Sequence, residues 1–352
     1  MKSKKMWSIL FVLLAISSQF LCCTFKKTVF AQALPIYTQV GVYKYEGEIP
    51  HFFTHQIIND PKKAFSKKLA RHYDKDCITY KELDNFLNEM YKNNYCLVDI
   101  YDVIGYENGE PYFKEIFMPI GKKPFLLSFD DMSYDSIGLG LSDKVILDEN
   151  GEIASFTSSN PTQIEYDKEA VCIIENFIKK HPDFSINNAR AIICPTGYDG
   201  ILGYRINKDG YNRQKDIEAI TPLIEKLKKL NYRFASHTYG HIQVSYTSDN
   251  QLLRDCEKYK NEIESVIGET DILSFPCGSY VSKGSKLNIL KNYGFRIFFC
   301  VGDAVTCKKN GCVFLKREVL DGHSLRCFRK DYKEFFDTKN VYDHENRTIP
   351  FE

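Results

Sequence analysis

The sequence predicts an α/β protein built on a largely parallel sheet, and three observations predict it. From about residue 50 onward, short β-rich runs alternate with helical patterns, which belongs to one α/β domain rather than to two separate cores. The β-rich runs are apolar along their whole length, as suits strands covered on both faces. The helical patterns open on capping residues at the spacing a helix start requires.

Taken in chain order, FFTHQI supplies a first strand with His55 at its end. Thr79-x-x-Glu82 forms a capping box for the helix KELDNFLNEMYKNN. YCLVDIY (95 to 101) and PFLLSF (124 to 129) follow as strands. Residues 141 to 157 read as a β-hairpin, KVIL and EIASF around Asp148-Glu149-Asn150-Gly151, inserted at the edge of the barrel or sheet. A helix over 166 to 180 precedes the strand RAIIC (190 to 194), and a helix over 213 to 230, interrupted by Pro222, precedes YRFAS (232 to 236). A long acid-rich helix runs from Ser248 to Gly268, and ILSF (272 to 275) follows it. The remaining elements are a helix over 284 to 293 and the strands FRIFFC (295 to 300) and VFLKR (313 to 317). Residues 336 to 352 are polar and read as a loose tail.

Net charge excludes one class of function. The 352 residues carry 47 Lys and Arg against 46 Asp and Glu, and a chain at +1 lacks the basic field that nucleic acid requires. Lys2, Lys4 and Lys5 precede an apolar run from Met6 to Phe25, the pattern of an export signal. Ala31-Gln32-Ala33 fits a cleavage site, but the run is also long enough to span a bilayer, so residues 1 to 33 are a signal peptide or a membrane anchor. Either way, positively charged flanks place the remainder extracytoplasmic, secreted or held at the outer face of the membrane. Residues 34 to 49 read as a linker. The segment 1 to 33 holds five lysines and no acid, so the exported part stands at −4. Of twelve cysteines ten lie beyond it, several inside apolar runs where Cys acts as a small hydrophobe. No CxxC pair occurs, which argues against a zinc knuckle. Cys300, Cys307, Cys312 and Cys327 are permitted a disulfide in that compartment, with no pairing readable.

In parallel α/β folds the chemistry gathers at the C-terminal ends of strands. Asp130-Asp131 follows PFLLSF, His237-x-x-x-His241 follows YRFAS, Pro276-Cys277-Gly278 follows ILSF and Gly302-Asp303 follows FRIFFC. Two His four apart share one face of a helical turn and can chelate one ion. Alone the pair is weak, since His51-Phe-Phe-Thr-His55 repeats the spacing. One Asp with two His completes a three-ligand site with an open position, and the second Asp then stands where a base is needed.

Ser128-Phe-Asp-Asp131, His237-Thr-Tyr-Gly-His241 and Phe275-Pro-Cys-Gly278 resemble, in order and spacing, the motifs of the polysaccharide deacetylase family, carbohydrate esterase family four, in an exported member; FFTHQI, TYKELDNFLNEMYKNNYCLVDIYDVI and HPDFSINNARAIICPTGYDGILGYR resemble its longer clostridial-type members. The resemblance runs from about His51 to about Phe328 and makes residues 50 to 335 the catalytic domain. It implies a distorted (β/α)7 barrel and metal-dependent removal of acetyl groups from an N-acetylhexosamine polysaccharide, peptidoglycan or a related cell-surface glycan. Asp130 matches the general base, while Asp131, His237 and His241 match the metal ligands. Zn2+ is the default ion, with Co2+ or Ni2+ possible at an Asp-His-His site. The backbone N–H of Cys277 matches an oxyanion donor, and His323 in VLDGHSLR stands near the family's acid. A monomer acting on acetylated glycan is expected.

The departures are specific. Ser274-Phe275 stands where Arg-Pro is expected, so an Arg that orients the base is missing, and Cys277 replaces an aromatic. The Leu expected before His323 is absent. Thr196 to Gly200 reads as a close-approach loop lining a sugar groove, or as a simple turn. Two other classes compete: a catalytically silent carbohydrate-binding relative, and a Cys–His hydrolase using Cys277.

Overall fold

Lys123–Asp130, eight residues of near-continuous burial, is the strand on which the others are laid. In the computed structural model, residues 41–66, 68–134, 139–158, 161–207 and 212–347 are described, and the signal peptide or anchor expected over residues 1 to 33 lies outside them. We number the parallel strands β1 (His51–Thr54), β2 (Tyr95–Leu97), β3 (Lys123–Asp130), β4 (Ile192–Cys194), β5 (Arg233–Phe234), β6 (Ile272–Ser274), β7 (Ile297–Cys300), β8 (Cys312–Lys316) and β9 (Glu318–Val319). β3 pairs along its length with β1, setting Phe53 opposite Ser128, and toward its end with β4, setting Cys194 opposite Asp130. β2 pairs with its first residues. β5 and β9 complete this sheet, in the order β5, β4, β3, β1, β9.

A second sheet holds β6, β7 and β8 in parallel, with Cys307–Lys309 antiparallel at its edge. A single bridge, Ser236 opposite Leu273, joins it to the first. Among the described residues the ladders therefore form two parallel sheets, not the closed barrel that the resemblance implied. The physical cause lies in the short β5, which ends as the chain turns into the His237 loop. At Arg317 the chain changes partners: its N–H donates to Cys300, while the next two residues pair with β1.

The capped helices form where they were expected. The Thr79 box closes at both ends over Tyr80–Lys92, with its Oγ1 accepting from the Glu82 N–H and the Glu82 carboxylate accepting from the Thr79 N–H. Ser248 caps Asp249–Lys258, which widens through a π turn before stopping at Gly268, φ 78°. Pro222 does not interrupt its helix, which runs unbroken as Arg213–Lys229. The hairpin Lys144–Leu147 and Ile153–Thr157 gains a third strand, Gln163–Glu165. Its turn is closed by the Asp148 carboxylate accepting from the Asn150 and Glu152 N–H groups.

Three expectations are corrected. Val42–Lys44, inside the expected linker, pairs with Phe117–Pro119. The expected loose tail packs as far as it is described: Phe336 and Val341 are buried, and Arg347 reaches Glu82 and Asp74 at 2.6–3.0 Å in a buried ion network. All ten cysteines of the described residues are free, because most are committed to packing inside strands and helices. No helix among the described residues is long and apolar enough to cross a membrane.

Candidate active site

The two acids at the end of β3 separate at once. Asp130 is the last residue of the strand and is 2% exposed, whereas Asp131 has φ 56° and leaves the strand, half-buried. Successive strand residues face opposite ways, so this left-handed residue is what lets neighbouring carboxylates serve one site.

Asp130 is held by Arg317. The guanidinium donates from Nη1 to Oδ1 at 2.8 Å and from Nη2 to Oδ2 at 2.7 Å. Nη1 also donates to Ser128 Oγ at 3.1 Å, and Nη2 to Ser274 Oγ at 2.8 Å. The Ser274 hydroxyl donates to the same carboxylate at 3.2–3.3 Å. Arg317 lies 4.0 Å above the Phe53 ring. Burial alone opposes ionisation of Asp130, but the charge of Arg317 and its hydrogen bonds outweigh it and hold the carboxyl well below the usual carboxylate range. The expectation that an orienting Arg is missing is thus wrong: a strand-end Arg 187 residues away supplies the clamp, and Ser274, standing where Arg was expected, braces it. The VFLKR run put an Arg at a strand end but carried no sign of its partner.

Asp131, His237 and His241 come together, one potential ligand atom from each lying within 4.8 Å of the others. His237 Nδ1 sits 3.0 Å from the Ser274 carbonyl, which can only accept. The proton is therefore on Nδ1, and the Nε2 lone pair faces the carboxylates, 3.7 Å from Asp131 Oδ1. His241 Nε2 lies 3.5 Å from the same oxygen, and burial lowers its pKa, favouring the neutral ring. One carboxylate and two imidazoles, one with a fixed tautomer, fit a divalent transition metal.

The expected helical turn does not form around this pair. His237 to His241 is a loop, with Thr238 at φ 57° and His241 at φ 50°. It is held from outside. The Asp255 carboxylate accepts from the N–H groups of Tyr239 at 2.8 Å and Gly240 at 2.7 Å. The Tyr239 carbonyl accepts from the N–H groups of Gly197 and Tyr198. A Cβ at Gly197 would lie 2.2 Å from the Tyr239 ring, so the close approach here is to the His237 loop itself and requires a glycine. Non-glycine residues with positive φ gather here, namely Asp131, Thr238, His241 and Cys277. Such strain persists only where surrounding structure enforces it.

Asp130, Asp131, His237, His241 and Arg317 line one cavity of about 660 Å³, with Cys277, Gly278, Tyr198 and three residues from the N-terminal part, His55, His72 and Asp76. His55 Nδ1 donates to the Asp76 carbonyl at 2.9 Å, and its Nε2 stands 3.9 Å from Asp131 Oδ2. Cys277 occupies a turn at φ 54°. Burial, followed by the charge of Asp131, pushes its thiol pKa up, the wrong direction for a thiolate nucleophile. His51 is elsewhere, buried against Ser128 Oγ at 2.9 Å.

His323 is not among the residues lining the cavity. It is the second residue of the short helix Gly322–Cys327, capped by Asp321, with its Nδ1 3.8 Å from Cys327 Sγ and its ring edge-on to Phe328. The cap fixes this helix against Ala70–Asp76 so closely that a Cβ on Gly322 would meet the Asp74 carbonyl at 2.0 Å. The helix behind it, not His323, supplies the cavity wall.

No protein-family model matches the chain, and no curated protein matches it. Among solved structures, the chain is similar to the Streptococcus pyogenes deacetylase PplD in complex with acetate, at 14% identity over 80% of this chain and 94% of that one, with a TM-score of 0.46. It is similar to a de-N-acetylase from Aggregatibacter actinomycetemcomitans at 18% identity, over 82% and 99% of the two chains, with a TM-score of 0.49. A GH57-type branching enzyme from Pyrococcus horikoshii matches at 12% identity over 77% and 46%, with a TM-score of 0.28. Identities this low and superpositions this loose fix neither a family nor an activity for this chain.

Proposed function

We propose that this protein is a metal-dependent deacetylase that removes acetyl groups from an N-acetylhexosamine glycan of the cell surface, such as peptidoglycan. The observation that carries the reading is a buried carboxylate, Asp130, kept ionised by Arg317 beside the donor triad Asp131, His237 and His241 in one cavity. A divalent ion, by default zinc, would be held by that triad and would supply Lewis-acid polarisation and a more acidic water. Asp130 takes the proton of the attacking water, and its clamp keeps it aimed and unprotonated at neutral pH. The Cys277 N–H, at the cavity wall, donates to the oxyanion that develops on the acetyl oxygen. Tyr198, 40% exposed, offers a face for a sugar ring.

The fold that accompanies this reading is the pair of parallel sheets bridged between Ser236 and Leu273, with the site at their strand ends. Export follows from the lysines and the apolar run of residues 2 to 25, with secretion and anchoring as the two outcomes.

The test is acetate release from N-acetylglucosamine oligomers, peptidoglycan and acetylated xylan. Release is expected from an N-acetylated glycan, stopping with a chelator and falling by about 10²–10⁴ in Asp130→Asn. It is expected to survive Cys277→Ala, because a backbone donor does not depend on the thiol. Glycan binding without any acetate release identifies a silent binding protein instead.

A further inference from the structure

Hydrolysis of an amide needs a proton on the departing nitrogen, and Asp130, which receives a proton in the attack, leaves that task to another group. Three histidines outside the donor triad are candidates by position. His323 stands outside the cavity lining. His55 lines the cavity, but its Nδ1 rests on a neutral backbone carbonyl, and its Nε2 is turned toward Asp131. His72 differs from both. It lines the same cavity, its ring is 60% exposed, and its Nδ1 lies 2.7 Å from Asp76 Oδ2, four residues on along one helical face. A carboxylate behind an imidazole orients the ring, fixes the proton on Nδ1 and stabilises the imidazolium, leaving Nε2 to exchange a proton with substrate.

The helix carrying this pair is anchored independently of it. Asp74, buried on the same helix, accepts from Arg326 at 2.7 Å and from Arg347 at 3.0 Å. The Asp76 carbonyl is bonded to His55, whose other nitrogen approaches Asp131. A continuous series of contacts thus links the His72–Asp76 pair to the donor triad.

We propose that His72, oriented by Asp76, is the general acid that protonates the leaving amine, an assignment that rests on the deacetylase reading. Water forms the new C–O bond and gives its proton to Asp130. The His72 Nε2 proton then passes to the amide nitrogen as the C–N bond breaks, yielding the free amine and acetic acid, which ionises to acetate as its proton passes to solvent. Asp130 loses, and His72 regains, one proton through solvent to close the cycle. His72 is the catalytic residue of this step, and Asp76 positions it.

The experiment compares two substrates on the zinc-loaded full chain: an N-acetylglucosamine oligomer, whose amine must be protonated to leave, and 4-nitrophenyl acetate, whose phenolate leaves unaided. His72→Gln is expected to lower the amide-to-ester rate ratio by about 10²-fold or more, and Asp76→Asn by about tenfold. NMR of the imidazole is expected to show a hydrogen-bonded His72 Nδ1 proton that disappears in Asp76→Asn. An unchanged rate ratio in His72→Gln overturns the assignment while the deacetylase reading stands. Wild-type protein that cleaves the ester but no N-acetylated glycan overturns the deacetylase reading and the assignment with it.

Discussion

Arg317 shows how one side chain substitutes for another from a different strand. Its two parallel hydrogen bonds to Asp130 need a planar fork, and Ser128 and Ser274 occupy its remaining directions. Arg317→Lys keeps the charge but loses the fork. It is expected to lower kcat by about 10²-fold with little change in KM, measured on the acetylated oligomer, because misaimed reacting groups cost rate rather than binding. Arg317→Met leaves a buried carboxylate unpaired and is expected to cost about 3–5 kcal/mol in urea unfolding. Equal stability in Arg317→Met would mean that the pair is not buried in solution. The sequence displayed Asp130, Asp131, His237 and His241 as ligand and base types at strand ends. It did not display Arg317 as their partner, because nothing local distinguishes a strand-end Arg that pairs 187 residues away from one facing solvent.

The loop from His237 to His241 carries a second lesson. A spacing of four is equally satisfied by a helical turn and by a loop with two left-handed residues, and the choice is made by Asp255 and Gly197 from other elements. Asp255→Ala removes the carboxylate that accepts from both backbone N–H groups without touching a ligand. It is expected to weaken metal affinity by about 10–100-fold, read by competition with a chromophoric chelator, while the helix content is retained. Affinity equal to wild type would show that the loop holds itself. The helices Tyr80–Lys92 and Asp249–Lys258 were legible because a capping box is written within four residues. The helix bearing His72 was not: it is only seven residues long, Ala70–Asp76, opens on Leu69 without a side-chain cap, and is secured by Arg326 and Arg347 from the far end of the chain.

The molecule also stores a pH dependence away from the site. Glu169 is buried at the start of the helix Ala170–Lys180, accepting from Tyr134 Oη at 2.5 Å. Burial raises its pKa from 4.5 to about 7. A raised carboxyl pKa means that the folded state binds the proton more tightly than the unfolded chain. The stabilisation is complete below about pH 4.5, declines as pH rises, and is gone above about pH 7. Glu169→Gln is expected to flatten that slope and to exceed wild type above pH 7 by on the order of 3 kcal/mol. Urea unfolding at pH 5 and pH 8 measures it, and parallel slopes in the two proteins would sink the idea.

By itself the sequence determined the α/β class, the order of apolar strands and capped helices, and the chemistry of the strand ends, because periodicity, caps and residue types are properties of neighbouring residues. Only the tertiary structure decided that the strands form two sheets and that Arg317 replaces the missing Arg. It also decided that His72 rather than His323 faces the cavity, and that residues 336 to 347 pack rather than trail. Each of these depends on groups brought together across tens to hundreds of residues. Burial and charge pairing decide them once the chain has closed those distances, and no local pattern encodes them.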